Sequence, residues 1–356
     1  MIMPRVDLSA LQPERVCLIK PSSLGDVVHA LPVLSAFRSA WPDAHIAWVI
    51  NRSLRGLLDG HPHLDEVIPF DRSKVGLGPK GLAAFARFAN ELRRGKFDLT
   101  IDLQGLLRSG LLTACTGSKL RVGLADAREG ATRFYTHRIS MPAVETHAVD
   151  KLMYVVRAFG IYDEPVFVPA ISAGDRDWAK RTLAEITVPR LVLNVGARWL
   201  TKRWPPARFA EVAILAVQER GANLIAVGSP EDRPLVDELI LRLNGLPILD
   251  LSGRTTLPQL AAVLAEADCV LSNDTGPLHL AAATGTRVVG VYTCTSPGKT
   301  GPYGPNALAV ASKIWCAASC IKTCSRMECM TELSADRVWE AVRQQIDLAL
   351  LQREAA

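Results

Sequence analysis

Residues able to move a proton or hold an anion gather in two short stretches of this 356-residue chain. The first is Lys20-Pro21-Ser22-Ser23-Leu24-Gly25-Asp26, which combines a cation, two hydroxyls, a glycine and a carboxylate. A carboxylate held beside a reacting hydroxyl can serve as general base, and Asp26 is the catalytic candidate. The second is Asn273-Asp274-Thr275-Gly276-Pro277-Leu278-His279. There Pro277 suits the first turn of a helix, with Thr275 or Asp274 as its cap. The N–H groups and dipole of such a helix start attract anions, and His279 would stand one turn in. A well-capped helix carrying a buried histidine explains the same residues equally well.

Charge also collects elsewhere. Gly196–Pro205, GARWLTKRWP, brings Arg198, Lys202 and Arg203 together with two tryptophans, a composition that suits a diphosphate. A solvated basic loop with Trp199 or Trp204 anchored in the core is the alternative. Glu231, followed by Asp232, comes just after Val227-Gly228 and could accept hydrogen bonds from a ribose. As acids at a helix start, both could instead be dipole partners.

The elements that must position these residues alternate between apolar strands and amphipathic helices, the pattern of parallel sheets with helical crossovers. In the first half, strands are predicted at 16–20, 45–50, 66–69, 98–103 and near 120–123, with helices near 26–40, 81–94 and 147–159. Segment 160–175, with two prolines and two glycines, reads as a linker. The second half repeats the pattern. Strands fall at 191–195, 223–227, 268–272 and 287–292; helices fall at 206–220, 231–243 and 257–266, with a terminal amphipathic helix at 334–352. Ligands of open α/β sheets bind at the carboxyl ends of strands, which is where the charged stretches fall.

A chain of this length exceeds one ordinary core, so two domains are expected. Hydrophobic residues make up 49% and charged residues 22%, a globular composition. The net charge of +5 suits an anionic small ligand or surface, and there is no nucleic-acid-binding motif. The N-terminus has no secretory apolar region, and apolar runs are broken before the ~18 residues of a spanning helix. A cytoplasmic protein with at most peripheral membrane contact is expected. Helix 81–94 places Leu82, Phe85, Ala89 and Leu92 on one face beside Arg87, Arg93 and Arg94. It reads as a sheet-covering helix with a wet basic face more readily than as a lipid-contacting one.

Two phosphate-site patterns fail on context. Gly76-Leu77-Gly78-Pro79-Lys80-Gly81 fits G-x-G-x-x-G by letter but follows no buried strand, and Gly298-Lys299-Thr300 lacks the first glycine of a P-loop, having Thr293 there. Eight cysteines in a chain of this kind are expected to be mostly reduced thiols. Cys316, Cys320, Cys324 and Cys329 are spaced so that the first three could share a helical face. Zinc, an iron–sulfur group, disulfides and free thiols are all compatible with that spacing, and no residue is assigned to a metal.

Taken together the motifs resemble glycosyltransferase family 9, the lipopolysaccharide heptosyltransferases. KPSSLGDVVHALP resembles the family's N-terminal signature, and Asp102-Leu103-Gln104-Gly105-Leu106 its D-x-Q-G-L element. Arg121-Val122-Gly123, Ala127-Arg128-Glu129-Gly130 and His147-Ala148-Val149-Asp150 are similar to further stretches of heptosyltransferase I. Lys202-Arg203-Trp204-Pro205 resembles K-x-W-P, and Asn273–His279 the donor-binding element.

The resemblance implies a GT-B fold of two Rossmann-like, doubly wound α/β domains. Residues 1–165 would bind the acceptor, residues 166–333 the nucleotide sugar, and the helix at 334–356 would pack back on the first domain. It also implies an inverting, metal-independent transfer of heptose from an ADP-heptose-type donor, with no cofactor required. The acceptor would be a Kdo-bearing, lipid-linked inner-core oligosaccharide at the cytoplasmic face of the inner membrane. By the same resemblance Asp26 is the general base, and Lys202, Asp274, Thr275, Gly276 and His279 contact the donor; Arg198 and Glu231 join them as donor-side candidates on the reading of the residues themselves. Lys20, Ser22, Ser23, Gln104 and Arg108 would line the acceptor side. The family's threonine pair before the lysine is replaced by Ala197 and Arg198, which loosens the inference to donor identity. A GT-B transferase or epimerase using another nucleotide sugar, or a non-catalytic nucleotide-sugar-binding protein, are the alternatives.

Overall fold

The computed structural model describes residues 7–75, 78–142 and 144–355. Gly76 and Leu77 of the G-x-G-x-x-G pattern lie outside them. The chain divides into two compact units, 1–170 and 171–356, against the boundary of 165/166 expected from the sequence.

The first unit holds strands β1 (Arg15–Ile19), β2 (His45–Asn51), β3 (Glu66–Phe70), β4 (Leu99–Asp102), β5 (Leu120–Leu124) and β6 (His137–Ile139). They form one parallel sheet in the order β3-β2-β1-β4-β5-β6. The second unit holds β7 (Arg190–Asn194), β8 (Asn223–Val227), β9 (Ile248–Asp250), β10 (Cys269–Asn273), β11 (Val288–Tyr292) and β12 (Ala307–Ala311). Its parallel sheet runs β12-β11-β10-β7-β8-β9. Numbered within each unit, both sheets have the doubly wound order 3-2-1-4-5-6. The strand order reverses between β1 and β4 in one unit and between β7 and β10 in the other. Those two switch points are where such sheets open a crevice for ligands.

Central strands are unbroken apolar runs because parallel sheets are covered on both faces. Cys17, Ile19, Ala47, Val49, Ile68 and Phe70 face Leu92 and Leu112 in one core layer of the first unit. Helix Pro79–Arg94 covers that layer through Leu92 with Phe85 and Phe88 packed beside it, while Leu82 stays exposed.

Several expectations are corrected. The single helix at 26–40 is two, Leu24–Val28 and Leu31–Ala40. Pro32 lacks the N–H and is tolerated only in a first turn, so a new helix must start just before it. Part of the linker is helix Ala173–Thr182, opened by a Ser172/Asp175 capping box. Edge strands β6, β9 and β12 and helix Leu107–Cys115 were not anticipated. The terminal helix, Ala335–Glu354, belongs to the second unit. Val338, Trp339, Val342 and Ile346 join the second unit's own core, against Leu271, Val289 and Val291 of β10 and β11. Cys316, Cys320 and Cys324 lie on turns and share no helical face, since Ala318 and Cys320 take left-handed φ of 64° and 58°. Gly298–Thr300 belongs to a four-residue turn of helix, Pro297–Thr300.

Candidate active site

At the first switch point, two elbows are laced together. β1 ends in Lys20, whose Nζ is buried and donates to Leu103 O at 2.8 Å, just past β4. Burial holds the Lys20 ammonium below its ordinary pKa, against the opposing pull of Asp26 and Asp102. The Ser22 N–H points at Gln104 Oε1, 3.4 Å away. Ser23 precedes helix Leu24–Val28, and its N–H and hydroxyl both donate to Asp26 Oδ2, at 2.9 and 2.7 Å. Asp26 therefore closes a capping box while remaining half-buried, and its Oδ1 takes no protein hydrogen bond among the described residues.

Asp102 holds the second elbow. Its Oδ1 accepts the N–H groups of Gln104 and Gly105, at 2.9 and 3.0 Å, and its Oδ2 accepts Ser109 Oγ and Tyr135 OH, at 2.8 and 2.6 Å. Burial pushes the Asp102 carboxyl up, with the four hydrogen bonds pulling the other way. Gly105 has φ +69°, and a Cβ there would stand 3.2 Å from Ala127 Cβ, which accounts for glycine in this turn. The sequence thus brings Lys20, Ser22, Ser23, Asp26 and Gln104 into one connected edge. Arg108 stands apart, exposed in the first turn of helix Leu107–Cys115.

At the second switch point the acid is enclosed. Asp274 is 4% exposed, and its Oδ2 accepts Lys202 Nζ at 2.5 Å and Thr295 Oγ1 at 2.6 Å. Its Oδ1 faces His279 Nε2 at 3.4 Å. Burial alone would raise its pKa, but the His279 contact and the Lys202 charge outweigh that and hold the carboxyl well below the usual carboxylate range. Thr275 occupies the cap position of helix Gly276–Ala283, yet its hydroxyl makes no cap bond and accepts Asn194 Nδ2 at 2.9 Å. Asn273 spans the loop: its Oδ1 accepts the Trp204 N–H at 3.1 Å, and its Nδ2 donates to Val195 O at 2.8 Å. Of the two tryptophans, Trp204 is the core anchor, fully buried with Nε1 donating to Leu333 O at 2.9 Å. Trp199 is half-buried and carries Lys202 Nζ 4.8 Å from its ring centre.

Arg198 is exposed and makes no ion pair among the described residues. Glu231 is exposed near the end of β8, whereas the neighbouring Asp232 carboxylate lies where a Cβ on Gly196 would sit, 2.3 Å away, and accepts Ser229 N and Oγ. Asn194, Thr295 and Asp102 were not assigned to the site from sequence. A polar residue ending an otherwise apolar strand was the available signal for Asn194 and Asp102; Thr295 had none. All eight cysteines are free thiols, and among the described residues no group of three or more His, Cys, Asp or Glu is arranged to hold a metal.

Two doubly wound parallel sheets of matching order, with polar elbows at both switch points, define the class: a glycosyltransferase of the GT-B fold. The sequence profile of glycosyltransferase family 9 (heptosyltransferase) matches residues 85–330, and the chain belongs to that family. It is 33% identical over 322 residues, 87% of each chain, to lipopolysaccharide heptosyltransferase 1 of Pseudomonas aeruginosa. It is 30% identical over 295 residues, 82% of each chain, to the lipopolysaccharide core heptosyltransferase OpsX of Haemophilus influenzae. Among solved structures it is similar to E. coli heptosyltransferase WaaC with ADP, at TM-score 0.74 and 26% identity over 93% of this chain and 99% of that one. The same enzyme with ADP-2-deoxy-2-fluoro heptose superposes at TM-score 0.73 and 25% identity, with the same coverage. No helix among the described residues is long and apolar enough to cross a membrane.

Proposed function

We propose that the protein transfers heptose from ADP-heptose to a Kdo-bearing, lipid-linked inner-core acceptor of lipopolysaccharide, with inversion at the anomeric carbon. The observation that carries this reading is the Lys202–Asp274–His279 cluster at the β7/β10 switch point, beside the start of helix Gly276–Ala283. It is supported by the ADP and ADP-sugar analogue named for the WaaC structures and by the lipopolysaccharide relatives.

Asp26 takes the proton of the acceptor hydroxyl as that oxygen attacks the face opposite the diphosphate. Its Oδ1 accepts no protein hydrogen bond among the described residues, while the Ser23 bonds to Oδ2 fix the carboxylate's direction. Lys202 neutralises charge on the departing diphosphate, with Asp274 fixing its Nζ. The Gly276 end of the helix and His279 contribute the anion-attracting pole. Ser22, Ser23 and Gln104 line the acceptor edge, and Lys20 acts there mainly by joining the two elbows. Arg108 is the exposed cation available to a Kdo carboxylate. No metal or cofactor enters this scheme, and catalysis takes place at the cytoplasmic face of the inner membrane.

Ala197-Arg198 in place of the threonine pair gives a different nucleotide sugar a specific hearing. Incubating the protein with ADP-, UDP- and GDP-sugars and a Kdo-lipid A acceptor separates the readings. Heptosylated product from the ADP-sugar alone, of inverted anomeric configuration by NMR, is expected. Turnover of a UDP- or GDP-sugar instead would overturn the donor assignment, and nucleotide binding without product would overturn the enzyme reading.

A further inference from the structure

The segment between β12 and the short helix Cys329–Glu332 is tied to the donor loop and to the residues that follow β11. Thr201 Oγ1 donates to Ile321 O at 2.7 Å. The Cys320 N–H donates to Cys294 O at 2.7 Å, and the buried Cys294 holds its Sγ 3.4 Å from Thr201 Oγ1. Thr293 Oγ1 donates to Thr201 O at 2.5 Å, which ties the same loop residue to the end of β11. Ala318 and Cys320, just upstream, adopt left-handed φ, which non-glycine residues keep only where the surroundings enforce it.

The residue after the anchored Ile321 is Lys322. Its Nζ lies 5.0 Å from the Trp199 ring centre, and Lys202 Nζ lies 4.8 Å from the same ring. One indole therefore gathers two ammonium groups, one from the donor loop and one from a segment more than a hundred residues downstream. Their electrostatic states differ. Lys202 is paired with the buried Asp274 carboxylate, so much of its charge is already compensated. Lys322 is exposed and makes no ion pair among the described residues.

We propose that Lys322 is a donor-binding residue, placed over Trp199 to meet the diphosphate of the nucleotide sugar and the charge that develops there during transfer. The proposal rests on the donor-site reading above. As the bond from the anomeric carbon to the diphosphate oxygen breaks, its electron pair stays on that oxygen. The acceptor oxygen forms the new bond and gives its proton to Asp26. The diphosphate thus gains a full negative charge beside a lysine whose own charge Asp274 already shares, and Lys322 supplies the uncompensated cation.

The test uses the full chain and the variants Lys322→Met, Lys322→Arg and, as a control on the same segment, Lys313→Met at an exposed position away from Trp199. ADP affinity is measured by calorimetry at low and high salt, and kcat and KM are measured with ADP-heptose. Lys322→Met is expected to weaken ADP about ten- to a hundredfold at low salt, the worth of a charge-assisted hydrogen bond. The deficit should shrink at high salt as the ionic term is screened. Lys322→Arg should recover most of the affinity, and Lys313→Met should match the unaltered protein. Equal ADP affinity for Lys322→Met and the unaltered protein would overturn the proposal, as would a deficit indifferent to both salt and the arginine variant. If the unaltered protein prefers UDP or GDP, the donor reading fails separately. The same comparison run with the nucleotide that binds then decides Lys322 on its own terms.

Discussion

At the β1/β4 edge, the half-buried Asp26 gives one carboxylate oxygen to the Ser23 cap and takes no protein hydrogen bond on the other among the described residues. At the β7/β10 edge, Asp274 commits both oxygens, to Lys202 and Thr295 on one side and His279 on the other, and is almost wholly enclosed. The strand order is the same in both units, and the two acids flank the switch point from opposite sides, Asp26 after the first strand of its unit and Asp274 after the fourth strand of its own. The difference lies in what surrounds each acid. A carboxylate with a free oxygen and partial access to water can take a proton from a substrate. One locked into a buried ion pair cannot, and instead holds a cation at a fixed point. The same residue type at the two switch points thus suits proton transfer in one unit and charge placement in the other, which is the division of labour proposed above.

The sharpest way to break that contrast is Asp26→Asn. The amide keeps an acceptor for the Ser23 cap but cannot act as base, so turnover should fall roughly 10²–10⁴-fold. ADP affinity by calorimetry should stay within about twofold, since no donor residue is touched; retained turnover would end the base assignment.

Asp274→Asn should act on the opposite quantities. Removing one partner of a buried pair costs about 3–5 kcal/mol, and the lower figure applies because the Lys202 side chain keeps 19% of its surface exposed. Urea unfolding would show this loss, together with weakened ADP binding. The acid limb sharpens the contrast. Because the folded Asp274 pKa lies below its ordinary 3.8, its stabilising contribution is complete above that value and is lost as pH falls beneath it. Below about pH 4 the unaltered protein should lose stability more steeply than Asp274→Asn, and parallel slopes there would show that the pair does not carry the effect.

A smaller change probes the first edge. Gly105→Ala forces a side chain into a left-handed turn and toward Ala127, at a cost of about 1–2 kcal/mol. Denaturant titration should show that loss, with turnover reduced and ADP affinity unaltered, because the disturbed elbow is on the acceptor edge. The least effect is expected from Arg198→Ala. An exposed cation contributes about 0.2–1 kcal/mol, a few-fold in ADP affinity at low salt and less at high salt. A larger loss would mean that Arg198 replaces the missing threonine pair as a main phosphate ligand.

The alternation of apolar strands with helices, the restart of the pattern in the second half and the placing of polar elbows after β1, β4, β7 and β10 were all legible along the chain. Such features depend on neighbours in sequence: a buried parallel strand must be apolar throughout, and the turn that follows it must carry the polar groups. The break before Pro32 and the Ser172/Asp175 cap were equally local, and could have been read there. β6, β9 and β12 could not, because edge strands are short and half-exposed and their apolar signal is weak. The terminal helix shows the same limit from the other side: its periodicity announced an apolar face, but only packing against β10 and β11 decided which core receives it.

The sequence by itself determined the two-unit α/β architecture, the family and the residue types at both edges, because these follow from periodicity and from motifs of adjacent residues. Tertiary structure alone decided that Asp274 is enclosed while Asp26 keeps an open oxygen, and that Lys20 is a buried strut. It also decided that Lys322 reaches the indole beside Lys202. Burial, charge pairing and direction arise between residues far apart in the chain, and no spacing along it encodes them.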